Sequence, residues 1–233
     1  MRTDIQQSSE EVAAAGAPAK ADGLRQALAE LREAAVRKKV EPICSAYRAV
    51  RKAAKGMKAK MLFAMLAEAV DPQAMNLIVS AYSHRDCFMC RQGVTSCTQC
   101  EGSGEIEADR NCPACGGLGL SACAFCLGTS WADRDTIPKE LRGPVLQRQW
   151  THVQRDLEVL NKTFAGDAAE KVRSFDSQQR RSTIAWLIRL QARLADLNDV
   201  GIAAAEAGAD ETRLAAEVGR IDTYLDIMKA TTL

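Results

Sequence analysis

The sequence predicts an all-α protein, a helical bundle or long helical hairpin with one small cysteine-rich hairpin inserted. Three observations carry this. Hydrophobic residues make up 47% of the 233, most of them Ala and Leu, while aromatics reach only 5% and β-branched runs are few. Apolar residues recur at spacings of three and four on both sides of the chain centre. Between them, eight of the nine cysteines lie within Cys87–Cys126. The chain divides accordingly into a disordered tail (1–20), an N-terminal helical region (21–84), a cysteine-rich finger (85–130) and a C-terminal coiled-coil-like helical region (131–233).

Residues 1–20 are polar, then rich in Ala, Gly and Pro, with no periodicity. The first helix spans 22–38. Asp22 is a candidate cap, and Leu24, Leu28, Leu31 and Ala35 form one face. Glu41-Pro42 opens a second helix, with Ile43, Tyr47, Val50 and Ala54 as its stripe and Gly56 as its interruption. A third runs through Met61, Phe63, Leu66 and Val70. Asp71-Pro72 then supplies a cap and a first helical residue for a fourth, which runs to about Ser83.

Beyond the finger, Thr129–Arg142 is a connector and Gly143-Pro144 a helix breaker. Leu146, Trp150, Val153, Leu157, Leu160 and Phe164 step by four, three, four, three and four, a heptad seam. Gly166-Asp167 ends that helix and caps the next. Ser174–Gln178 is polar and reads as a kink. Leu187, Leu190, Leu194 and Leu197 continue the heptads with Trp186 alongside. Gly201 and Gly208 mark a turn, Asp210 a cap, and Leu214, Val218, Ile221, Leu225 and Met228 a last seam. Two or three long antiparallel helices with short connections are expected, packed within one chain or between two copies.

The cysteines form four Cys-x-x-Cys pairs, Cys87/Cys90, Cys97/Cys100, Cys112/Cys115 and Cys123/Cys126, separated by gaps of six, eleven and seven residues. Zinc takes four thiolates in a tetrahedron, and each pair offers two of them. Glycines after the pairs allow positive φ and let amides point at sulfur. Four pairs make two closed sites. If the chain folds back at 101–111, one zinc lies on Cys97, Cys100, Cys112 and Cys115 and the other on Cys87, Cys90, Cys123 and Cys126. Sequential pairing is the alternative. The spacing favours zinc over a disulfide framework, and with it a reducing compartment.

Two of the pairs read Cys-x-x-Cys-x-Gly-x-Gly in full, at Cys97–Gly104 and Cys112–Gly119. This run of about 40 residues resembles the cysteine-rich zinc finger of DnaJ-type chaperones. The resemblance implies two zinc ions, with the first pair joined to the fourth and the second to the third. The outer repeats depart from the pattern, at Arg91-Gln92-Gly93 and at Leu127-Gly128-Thr129-Ser130. The gaps are shorter than usual in that family. The J-domain His-Pro-Asp and a β-rich client-binding region are absent. The chain is similar to proteins that keep such a finger without a J domain, in which the finger is a protein-binding surface.

These features imply a non-enzymatic, zinc-dependent module, chaperone-like or adaptor-like, that binds a protein partner or client. Phe88, Met89, Leu118, Leu120, Phe125 and Leu127 would contact that partner, or else pack on flanking helices. A closed four-thiolate site leaves no position for water or substrate.

The first alternative is an RNA- or DNA-binding protein using nine basic residues between Arg37 and Lys60, against Glu41 alone, together with the finger. A net charge of +1 fits the plainer reading, in which these residues are a solvated helix face. The second alternative is a thiol-disulfide oxidoreductase, disfavoured because zinc holds the thiolates. Cys44 reads as a small buried hydrophobe, and Trp150 and Trp186 as core. Eight cysteines leave His84 no ligand position to fill. His84-Arg85-Asp86 matches a kinase triplet, but no Gly-rich loop or Asp-Phe-Gly accompanies it, and there is no phosphate-binding loop. No apolar run of about 18 residues exists. Met1–Ser8 lacks the apolar stretch of a secretory signal, so a cytoplasmic location is expected.

Overall fold

The structure is a computed structural model. It describes residues 21–83, 87, 89–90, 92–107, 110–131, 133–199, 201 and 211–230, the side chains of 211–214 excepted. The expectations for 1–20, His84, Phe88, Gly208 and Asp210, and for the Leu214 side chain, lie outside these residues. The chain divides into two compact units, Met1–Tyr82 with Ile137–Val145, and Ser83–Thr136 with Leu146–Leu233.

In the first unit, helix α1 (21–36) buries Leu24, Leu28, Leu31 and Ala35, the face its spacing predicts. Asp22 lies inside the helix and pairs with Arg25 one turn on, at 3.2 Å, rather than capping it. Helix α2 (Val40–Ala53) buries Ile43, Cys44, Tyr47 and Val50. The chain then turns through Gly56 at φ 93°. Helix α3 (Ala59–Ala69) buries Leu62 and Leu66. Helix α4 (Pro72–Ser83) begins where expected, with Asp71 Oδ1 accepting the Ala74 amide at 2.8 Å.

The connector is not featureless. It carries 3₁₀ turns at Arg134–Thr136 and Lys139–Leu141. Ile137, Leu141 and Val145 are buried in the same apolar cluster as α1–α4. Glu140 goes with them, and its buried carboxylate accepts the Tyr47 hydroxyl at 2.7 Å and faces Arg51 Nε at 3.0 Å. Burial, then the bond to Glu140, pushes the Tyr47 phenol far above its ordinary value, so Tyr47 stays a donor.

In the second unit, helix α5 (Arg142–Thr163) carries Gly143 and Pro144 in its first turn, where a missing N–H is tolerated; its residues to Val145 belong to the first unit. Helix α6 (Ala168–Arg173) is capped by Asp167, which accepts from the amides of Ala169 and Glu170 at 2.8 and 3.0 Å. The stretch read as a kink is a full break, closed by a reciprocal cap. Asp176 accepts the Gln179 amide at 2.7 Å, and Gln179 Oε1 accepts the Asp176 amide at 3.1 Å. Helix α7 (Ser177–Asp199) and helix α8 (Glu211–Ala230) follow.

The heptad seams make the core. Trp150, Val153, Leu160 and Phe164 of the first seam are buried with Leu187, Leu190, Leu194 and Leu197 of α7 and Ile221, Leu225 and Met228 of α8. Phe164 stacks on Tyr224 with ring centroids 4.1 Å apart. Trp186, Leu146, Leu157 and Val218 pack at the edge.

Between α4 and α5 lie four short strands, β1 (Val94–Ser96), β2 (Glu105–Glu107), β3 (Arg110–Asn111) and β4 (Leu120–Ala122). They pair antiparallel, β1 with β4 and β2 with β3, so the chain folds back within 101–111. No helix among the described residues is long and apolar enough to cross a membrane.

Replacing Tyr47 by Phe leaves the Glu140 carboxylate one donor short. Native-state hydrogen exchange of the α2 amides should show a loss of about 1.5–3 kcal/mol, as for a hydrogen bond to a charged group. Unchanged protection would mean the bond adds nothing to the first unit.

Candidate metal centre

The two strand pairs stack the cysteine turns in order along one hairpin. Its open end holds Cys87, Cys90, Cys123 and Cys126. The β1–β4 pair follows, then Cys97, Cys100, Cys112 and Cys115, then the β2–β3 tip. Within each group of four, the sulfurs all lie within 4.8 Å of one another.

Neighbouring sulfurs stand 3.6 Å apart at Cys90–Cys126, 3.8 Å at Cys97–Cys112 and 3.7 Å at Cys100–Cys115. A tetrahedron with zinc–sulfur bonds of about 2.3 Å has edges of about 3.8 Å, so both groups fit one zinc-sized ion. Each group could hold a metal ion, and four thiols with no oxygen ligand suit zinc.

Backbone hydrogen bonds bring the pairs together. The Cys97 amide donates to Gly119 O at 3.0 Å, and the Cys112 amide to Gly104 O at 2.7 Å. The outer group repeats this exchange, Cys87 to Ser130 O and Cys123 to Gly93 O, both at 2.9 Å. Each turn is thus closed by the end of the turn opposite, second with third and first with fourth.

Sequence alone does not show how the incomplete outer repeats manage this. Ser130, at φ 61°, occupies the place that Gly104 and Gly119 hold in the inner repeats. In the first repeat Gly93 takes that place one residue early. Among the inner glycines, Gly104 and Gly119 are needed for space as well as for φ. A Cβ on either would meet a carbonyl oxygen of the facing turn, Gly117 O or Gly102 O, at 2.5 Å.

The same glycines tune the sulfurs. The Gly104 amide donates to Cys100 Sγ and the Gly119 amide to Cys115 Sγ, each at 3.2 Å. Burial disfavours the Cys100 thiolate, but the amides of Gly104 and Gly102 together with the Cys97 and Cys115 thiols outweigh it and bring the thiol down to about 6. Burial wins at Cys115, pushed up to about 12, and at Cys90, which is also raised. Cys123 falls to about 7, where the Cys126 and Phe125 amides together with the Cys90 and Cys126 thiols overcome burial. Each group thus mixes thiols that ionise easily with thiols that do not, as expected of like charges crowded together.

Helix α7 carries residues that sequence reasoning missed. Arg181 donates to Ser96 Oγ at 3.1 Å and Gly102 O at 3.4 Å, and Arg189 to Gln92 O at 3.1 Å. Arg193 donates to Thr129 O at 2.9 Å and Ser130 Oγ at 3.1 Å and lies over Trp131. Arg181, Ala185, Ile188, Ala192 and Arg193 lie on one side of the helix by their spacing, which is the signal that was available. Between the arginines, α7 meets the finger closely: a Cβ on Gly128 would lie 2.9 Å from Ala192 Cβ.

The five described apolar finger residues split. Leu120 is buried and Leu118 partly buried against the helical core. Met89, Phe125 and Leu127 are exposed, Leu127 at 77%. Cys44 is buried far along the sequence from either group. No protein-family model, curated protein or solved structure matches this chain.

Native mass spectrometry should find two metal ions per chain. Cys100→Ser and Cys126→Ser should each leave one, and Gly104→Val should weaken retention at the inner group by at least about tenfold against a competing chelator. Loss of both ions from either single variant would contradict two separate centres.

Proposed function

We propose that this chain is a zinc-dependent protein-interaction module, adaptor-like or chaperone-like and non-enzymatic, akin to DnaJ-type fingers that lack a J domain. The observation that carries the reading is the exposure of Met89, Phe125 and Leu127 on turns of the outer cysteine group. Large apolar side chains on a turn fixed by four thiols form a rigid contact surface. Holding that surface rigid lowers the ordering penalty of binding. The closed thiol sets support a structural role for the metal, since four sulfur ligands leave no place for a reacting water.

The basic segment supports nucleic-acid binding less well. Its arginines and lysines are exposed, but Arg37 pairs with Glu33 at 3.0 Å and Arg51 with Glu140. Binding through this segment would fall steeply with salt, whereas contact through the outer turns would not.

The double variant Phe125→Ser, Leu127→Ser separates contact from folding. Affinity capture with metal-loaded protein should lose its partner, with melting within about 2 °C of the parent, since exposed positions rarely matter to stability. Retained capture would refute the contact surface, and a collapsed melting temperature would make these residues structural.

A further inference from the structure

A cavity of about 450 Å³ lies within the second unit, beside the outer cysteine turn. Phe125, Leu127, Trp131, Ala192 and Ala195 give it apolar walls. Its volume falls in the range of roughly 300–1,000 Å³ typical of binding sites.

The Arg134 guanidinium, on its lining, pairs with Asp196. Three carboxylates, Asp133, Asp196 and Asp199, line the cavity against the single guanidinium of Arg134.

We propose that this cavity is the seat of an extended segment of a partner protein that carries an apolar side chain beside a lysine or arginine. The proposal rests on the protein-interaction reading above and names the chemistry of its partner. The apolar side chain enters between Trp131 and the α7 alanines. The neighbouring cation answers the excess of carboxylate. Phe125 and Leu127 are exposed as well as lining the cavity, so apolar surface continues past it. That continuation suits a chain passing across the mouth better than a small molecule enclosed by it.

The test uses the full, metal-loaded chain and three fluorescent Gly-Ser nonapeptides whose central residues are Lys-Leu-Lys, Glu-Leu-Glu or Lys-Ser-Lys. Anisotropy should show the first binding at least about tenfold more tightly than either of the others. Ala195→Trp, which fills the cavity, should abolish the preference. Lys55→Glu, in the first unit, should change nothing. Asp199→Asn, at an exposed position, tests charge selection and should narrow the gap between the Lys and Glu peptides.

Equal binding of all three peptides, no binding of any, or full binding by Ala195→Trp would overturn the proposal. The failures are separable. If Phe125→Ser, Leu127→Ser loses partner capture while Ala195→Trp keeps it, the interaction reading stands and the cavity is not the seat.

Discussion

Eight thiols gathered into two groups, with sulfurs as close as 3.6 Å, set the terms for the second unit. Charged and alone, four thiolates at that range repel strongly, and a dication at their centre removes the conflict. The backbone prepares the geometry. In each group the amide of the first cysteine of one pair donates to a carbonyl at the end of the facing pair, and the exchange is returned. These bonds fix which pairs meet before any metal ligand is considered. They also explain why the strands are so short: with three residues at most, β1 to β4 serve chiefly to hold two turns in register.

A hairpin of this size has little core of its own. Its apolar residues are recruited instead by the helices of the same unit. Leu120 joins the core built from α5, α7 and α8, and Val94, Leu118 and Trp131 pack against it. Arginines of α7 then bond to carbonyl and hydroxyl oxygens of the cysteine turns. One side of the finger is thereby held to a helix. The exposed Met89, Phe125 and Leu127 belong to its outer turns, where rigidity and accessibility coexist.

Much of this was legible in the residues. The heptad steps of Leu146–Phe164 and Leu187–Leu197 located two long helices, because a period near 3.5 has few other solutions. The near-equal gaps around Cys97–Cys115 pointed to nested cysteine groups. Asp71-Pro72 and Asp167 acted as caps because a short acceptor before an amide-rich turn does so in most contexts. What escaped depends on distant partners. Glu140 in a connector looks solvated until Tyr47 and Arg51 are placed beside it, 93 residues away in the case of Tyr47. Ser130 carries no glycine signal, yet it takes the left-handed conformation the outer turn needs. The polar run Ser174–Gln178 hid a reciprocal cap in which Asp and Gln replace the usual pair. The α7 arginines read as ordinary surface charge until the finger is laid against them.

The central claim is that the first pair shares an ion with the fourth, and the second with the third. Cadmium-substituted protein with labelled cysteines tests it directly, since each cadmium signal correlates with the β-protons of its own ligands. The account predicts two cadmium resonances, one correlated to Cys87, Cys90, Cys123 and Cys126 and the other to Cys97, Cys100, Cys112 and Cys115. A resonance correlated to Cys87, Cys90, Cys97 and Cys100 together would contradict it.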